Sequence, residues 1–152
     1  IARLDLRQKI HLQVEKSIKQ GATLRKGGRI PEQQGWWYPI TVLEDVTPGM
    51  PAFDDEIFGP VLSLVRAEND KHAIELASET RFGLGAAIFS ANTANAKRIA
   101  VEDIEAGCVA INDFVRSDPR VPFGGIKDSG YGRELGKLGI HEFINSKSIV
   151  GA

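Results

Sequence analysis

Near the start of the chain an apolar side chain recurs every four positions, at Leu6, Ile10, Val14 and Ile18, with Arg7, Lys9, Glu15 and Lys16 between them. This period predicts an amphipathic helix over 5–20, stopped by Gly21. Lys26-Gly27-Gly28-Arg29 then reads as a turn and Gly35-Trp36-Trp37-Tyr38-Pro39 as an extended aromatic stretch. A strand is predicted over 40–46, broken by Thr47-Pro48-Gly49-Met50-Pro51. From residue 61 the pattern becomes regular. Short apolar runs at 61–65, 84–90 and 108–112 predict strands, the last opened by Gly107. Between them, Asn69 or Asp70 caps a helix running to about residue 79, with Ala73, Ile74, Leu76 and Ala77 toward a core. Thr93 caps a second helix with Ala96, Ile99 and Ala100 on one side. In the last stretch, 143–150, Ile144, Ser146, Ser148 and Val150 alternate with Asn145, Lys147 and Ile149, a strand pattern with no evident partner.

Strands and helices alternating at this spacing predict an α/β fold, a largely parallel sheet with flanking helices built from crossover units. Loops at the strand ends are where such folds bind ligands. Residues 1–142 read as one body and 143–152 as a terminal strand and tail. No repeat or low-complexity tract interrupts the pattern.

At 152 residues the chain is long enough to bury a core, and its 42% apolar and 26% charged residues are ordinary for a globular protein. A net charge of -1 gives no electrostatic reason to expect nucleic acid or an anionic membrane as partner, and no apolar run approaches a membrane span. The start, Ile1-Ala2-Arg3-Leu4, lacks the order of a secretion signal and suggests a stretch cut from a longer protein. The single Cys108 excludes an internal disulfide and suits a reducing, cytoplasmic setting. Its strand context reads as a small buried hydrophobe, with no local cation or helix start to make a thiolate. His11 and His72 fall on polar helix sides, His141 in a half-buried structural position, and no Cys/His spacing suggests a metal site.

Two glycine-anchored segments carry the candidate chemistry. In Asp55-Glu56-Ile57-Phe58-Gly59-Pro60-Val61, Glu56 and Phe58 lie two apart and share one face if the segment is extended. A carboxylate can accept from a ribose diol, and a ring can lie against a flat base. Residue types alone equally describe an acidic turn beside a core phenylalanine. The second segment runs Pro122-Phe123-Gly124-Gly125-Ile126-Lys127-Asp128-Ser129-Gly130-Tyr131-Gly132-Arg133-Glu134. Its glycines nearly mimic a dinucleotide fingerprint, but the spacing is off by one and the segment follows a loop, so they read as allowing close packing and positive φ. Between the two segments, Arg116, Ser117 and Arg120 offer two guanidinium groups and a hydroxyl, suited to a carboxylate; the alternative is a solvated loop in which Arg116 pairs with Asp113 or Asp118.

In this order, E-I-F-G-P, I-N-D-F-V-R-S-D-P-R-V-P-F-G-G and G-Y-G-R-E resemble the C-terminal part of NAD(P)-dependent aldehyde dehydrogenases over essentially the whole chain, and most closely those acting on succinic semialdehyde. The resemblance implies that Glu56 contacts the nicotinamide ribose of NAD or NADP and Phe58 its ring. It implies that Phe123 and Asn112 shape the substrate channel, and that Ser117, with Arg116 and Arg120, meets the substrate's distal carboxylate. It makes Glu134 a buried proton-relay group, the alternative being an Arg133–Glu134 ion pair. It makes 143–150 an oligomerisation strand that joins a neighbouring subunit of a homodimer or homotetramer. It also places the nucleophilic cysteine, which forms a thiohemiacetal, together with the general base and the dinucleotide domain, before Ile1. By that reasoning this stretch alone is inert. An aldehyde dehydrogenase of another substrate class, or a non-catalytic assembly module, are the competing readings.

Overall fold

The computed structural model describes residues 1–151. They form two units, Ile1–Ala73 and a second from Ile74 onward.

The first unit is built on α1 (Leu4–Lys19), β1 (Thr23–Lys26), β2 (Thr41–Glu44), α2 (Pro51–Asp54) and β3 (Val61–Ser63). Helix α1 ends where expected, with Gly21 at φ 118 in the left-handed region that glycine enters freely. Its buried stripe is Ile10, Gln13, Val14 and Ser17, so two polar residues share the core face with the aliphatic ones. Ser17 is tolerated there because its hydroxyl donates to the Gln13 carbonyl (2.8 Å) and accepts from the Ala52 N–H (2.9 Å), one of the orphan donors at the start of α2. The strands lie in the order β1-β2-β3, β1 antiparallel and β3 parallel to β2. Leu43 and Val46 join Ile10, Val14, Tyr38 and Met50 in the core. The buried Thr41 hydroxyl donates to Pro39 and accepts from the Gly28 N–H, which ties the 26–29 turn to β2. Strand β1 and helix α2 are additions to the sequence reading; both are four residues long, too short to show a period.

Beyond β3 come α3 (Asp70–Ser78), β4 (Phe82–Gly83), β5 (Gly85–Ile88), α4 (Thr93–Glu102), β6 (Cys108–Ile111), β7 (Ile126–Lys127) and α5 (Gly136–His141). Strands β5 and β6 are parallel, Gly85 opposite Cys108 and Ile88 opposite Ile111, joined through α4 as one crossover unit with α4 packed on β6. Strand β4 pairs antiparallel with β7. The described residues therefore hold one three-stranded and two two-stranded sheets, with parallel pairs at β2–β3 and β5–β6, in place of a single continuous parallel sheet. Asn69 caps α3, accepting from the His72 N–H at 3.0 Å. The α4 cap is Asn92, not Thr93: its side chain accepts from the Asn95 N–H at 3.0 Å, and Thr93 is the first helical residue. Ala96 is buried as expected, whereas the apolar positions assigned to the core side of α3 leave none of its residues buried. Residues 145–150 join no ladder among the described residues, and Phe143, Ile149 and Val150 are almost fully exposed.

Candidate functional site

The segment after α2 joins no strand. Ile57 packs, partly buried, against the core of the first unit, while Glu56 and Phe58 on either side of it are exposed. Phe58 is 76% exposed and is not part of this unit's core. Three contacts hold the segment. Gln13 of α1 donates to the Glu56 carbonyl at 3.4 Å. The Gly59 N–H donates to the Ile57 carbonyl and the Val61 N–H to the Gly59 carbonyl, at 2.8 Å each, closing two tight turns. Gly59 lies against α1 so closely that a Cβ there would meet Ile10 Cδ1 at 2.5 Å. Gln13 is a positioning contact that local sequence could not reveal, because 43 residues separate it from Glu56. A surface cavity of about 270 Å³ in this unit is lined by Glu44, Asp45, Leu64, Val65 and Arg66, and includes neither Glu56 nor Phe58.

In the second unit Asn112 directly follows β6 with φ 52, in the left-handed region. Its amide stays inside the fold: Oδ1 accepts from the Ser90 N–H (2.8 Å) and Nδ2 donates to the Ser90 carbonyl (2.9 Å), while its own N–H reaches the Ile88 carbonyl (2.8 Å). The side chain thus extends the β5–β6 pairing by one step. Beyond it Phe114 stacks edge-on to Phe89 (centroids 5.7 Å apart), both rings exposed.

The following loop is charged and self-paired. Arg116 Nη2 donates to Asp113 Oδ2 at 2.7 Å, the solvated-loop alternative for that residue. Arg120 grips Asp118 through Nε (2.9 Å) and Nη2 (2.5 Å), and its backbone N–H adds a third bond at 2.9 Å. That guanidinium fork, with the backbone donor, holds the Asp118 carboxyl well below the usual carboxylate range. Ser117 is exposed between the two pairs.

Phe123 and Glu134 are brought together across the glycine-rich loop as an antiparallel bridge. The loop closes through close backbone approach: a Cβ on Gly107, ahead of β6, would collide with the Gly124 carbonyl. The side chains part company with expectation. Glu134 is exposed, not buried, and no Arg133–Glu134 ion pair forms among the described residues; Arg133 Nη1 donates instead to the Gly125 (2.9 Å) and Gly132 (2.6 Å) carbonyls. Both carbonyls lie within the reach of the guanidinium in the folded loop, whereas the Glu134 side chain is exposed to water. Cys108 is half-buried in β6. His11 and His72 are half-buried, His11 Nδ1 lying 3.2 Å from the Tyr38 hydroxyl, and His141 is exposed. Among the described residues no group of three His, Cys, Asp or Glu side chains could hold a metal ion, and no helix is long and apolar enough to cross a membrane.

An exposed Glu56 and Phe58 beside a Gly-Pro bend, a parallel βαβ unit and a glycine-rich loop after it are the features on which the resemblance to aldehyde dehydrogenases rests. The aldehyde dehydrogenase family model matches residues 2–149, and the chain belongs to that family. It is 48% identical over 149 residues to succinate semialdehyde dehydrogenase [NAD(P)+] Sad of Escherichia coli (strain K12), covering 98% of this chain and 32% of that protein. It is 46% identical to a probable succinate-semialdehyde dehydrogenase [NADP(+)] of Synechocystis sp., covering 98% of this chain and 33% of that one. Among solved structures, succinic semialdehyde dehydrogenase from Streptococcus pyogenes in complex with NADP+ superposes with a TM-score of 0.90 at 37% identity, covering 95% of this chain and 32% of that chain. The chain thus spans about a third of the length of these relatives.

Proposed function

We propose that this chain is the C-terminal part of the catalytic region of an NAD(P)-dependent aldehyde dehydrogenase that oxidises succinic semialdehyde to its acid in the cytoplasm. The observation that carries the reading is the exposure of both Glu56 and Phe58 on either side of a partly buried Ile57. This arrangement fits a nicotinamide riboside: the carboxylate is free to accept from the ribose hydroxyls, and the ring is free to lie against the base. When bound, the dinucleotide supplies the hydride acceptor of the oxidation. The residues here bind and orient; nucleophile and general base belong to the rest of the enzyme, so the 152-residue chain alone turns over no aldehyde. The substrate for which the relatives are named, together with a loop carrying Arg116, Ser117 and Arg120, supports a substrate with a distal carboxylate. Phe123 and Asn112 shape the approach to it, and the exposed Glu134 carboxylate is free to exchange protons with solvent. The 143–150 segment, exposed and without a ladder among the described residues, adds to the sheet of a second subunit to make a homodimer or homotetramer.

The test is kinetic. In the full-length enzyme Glu56→Gln and Phe58→Ala should each raise the KM for NAD(P)+ roughly tenfold or more, the cost of a lost charge-assisted hydrogen bond or aromatic contact. Both side chains are exposed, so thermal stability should hold. Unchanged coenzyme KM in both variants would leave the segment as a structural bend in an assembly module.

A further inference from the structure

Both guanidinium groups of the 113–120 loop are already met by carboxylates of that same loop, so two cations and two anions leave it without net charge. A distal substrate carboxylate would therefore meet no unpaired cation there. The two pairs differ in how firmly they are made. Asp118 is chelated by three donors of Arg120, one of them the backbone N–H, and its side chain is 31% exposed. Asp113 meets Arg116 through one bond, with the two side chains 51% and 75% exposed. Its other oxygen, Oδ1, accepts from the Phe114 N–H at 2.8 Å, so the carboxylate is anchored independently of the arginine.

A solvated ion pair resting on a single hydrogen bond is weak and exchanges readily for a better partner. A chelated pair with a backbone bond is not so easily opened. Arg120 is therefore committed to shaping the loop, while Arg116 keeps four of its five N–H donors for an incoming group.

We propose that Asp113 is a specificity-determining residue that stands in for the substrate's distal carboxylate at Arg116 and must be displaced when that substrate binds. This rests on the carboxylate-aldehyde reading above. Asp113 weakens the binding of every anion at Arg116, and a ligand overcomes it best by offering two oxygens to the fork. Neutral aldehydes have nothing to exchange for it and gain nothing from its removal.

The experiment is steady-state kinetics of the full-length enzyme with succinic semialdehyde and, as its neutral counterpart, butanal. Asp113→Asn keeps the acceptor for the Phe114 N–H and removes only the charge. It should lower the KM for succinic semialdehyde roughly two- to fivefold and raise the ratio of kcat/KM for succinic semialdehyde over butanal by a similar factor. Asp113→Glu should bring the KM back toward the wild-type value. A wild-type preference for succinic semialdehyde with an unchanged or higher KM in Asp113→Asn overturns the role of Asp113 alone. A wild-type enzyme that uses butanal as well as succinic semialdehyde overturns the carboxylate reading and, with it, this one.

Discussion

Phe123 and Glu134 exchange both of their backbone hydrogen bonds, each N–H donating to the other's carbonyl at 2.8 Å. The bridge closes the glycine-rich loop whatever the Glu134 side chain does, which separates a backbone role from a chemical one. Glu134→Pro removes one donor and should lower the unfolding midpoint of the full-length enzyme by at least roughly 2–4 °C. Glu134→Gln keeps the bridge and should leave the midpoint in place while lowering kcat. A kcat equal to wild type would remove the proton-relay role from Glu134.

Gly59 and Ile10 form the contact that seats the Glu56–Phe58 bend on α1. Gly59→Ala drives a methyl into Ile10 Cδ1 and should cost about 1–3 kcal/mol. Ile10→Val deletes that atom and alone should cost about 0.5–1.5 kcal/mol. The double variant should be more stable than the two costs added together, a coupling that a urea-unfolding cycle measures. Additive losses would mean that the two residues do not bear on each other.

Tyr38 lies in the core of the first unit, and burial, with the charge of Glu15 adding to it, pushes its phenol from 10.0 up to about 12. A raised pKa means that the fold favours the protonated form. The stabilisation is complete below about pH 10 and is lost as pH rises from there toward 12. Between those values the wild-type enzyme should lose stability faster than Tyr38→Phe, read as the pH dependence of the denaturant midpoint. Parallel curves would show that the phenol does not ionise differently in the two states.

Asn112 combines a left-handed backbone with two side-chain bonds to Ser90. Asn112→Gly keeps the backbone and loses both bonds; Asn112→Ala loses both and adds the left-handed penalty of about 1 kcal/mol. Stability should therefore fall in the order wild type, Gly, Ala, by urea titration of the full-length enzyme. An alanine variant as stable as the glycine one would mean that the turn relaxes out of the left-handed region.

Much of this molecule was legible in the chain because its periods are long enough to read. Sixteen residues of α1 carry a four-residue repeat, and the 93–111 stretch shows helix then strand with a glycine before the strand. Gln13 and Ser17 escaped because polar residues read as solvent-facing, and the Ala52 N–H and the Glu56 carbonyl that meet them come from distant chain. The apolar side of α3 misled for the opposite reason: a hydrophobic stripe states a need for a partner, and within the described unit none buries it.

The candidate site divides the same way. Residue identity at 56, 58, 116, 117, 120, 123 and 134, with the family they mark, was settled by the sequence, since side-chain chemistry and glycine spacing are local properties. Tertiary structure alone decided that Ile57 packs on the core while its neighbours stay exposed, that Asn112 spends its amide on Ser90, that Arg116 and Arg120 hold their own aspartates, and that Glu134 meets solvent. Each of those outcomes is a competition between partners for one group. Which partner wins depends on distances that the fold sets and the order of residues does not contain.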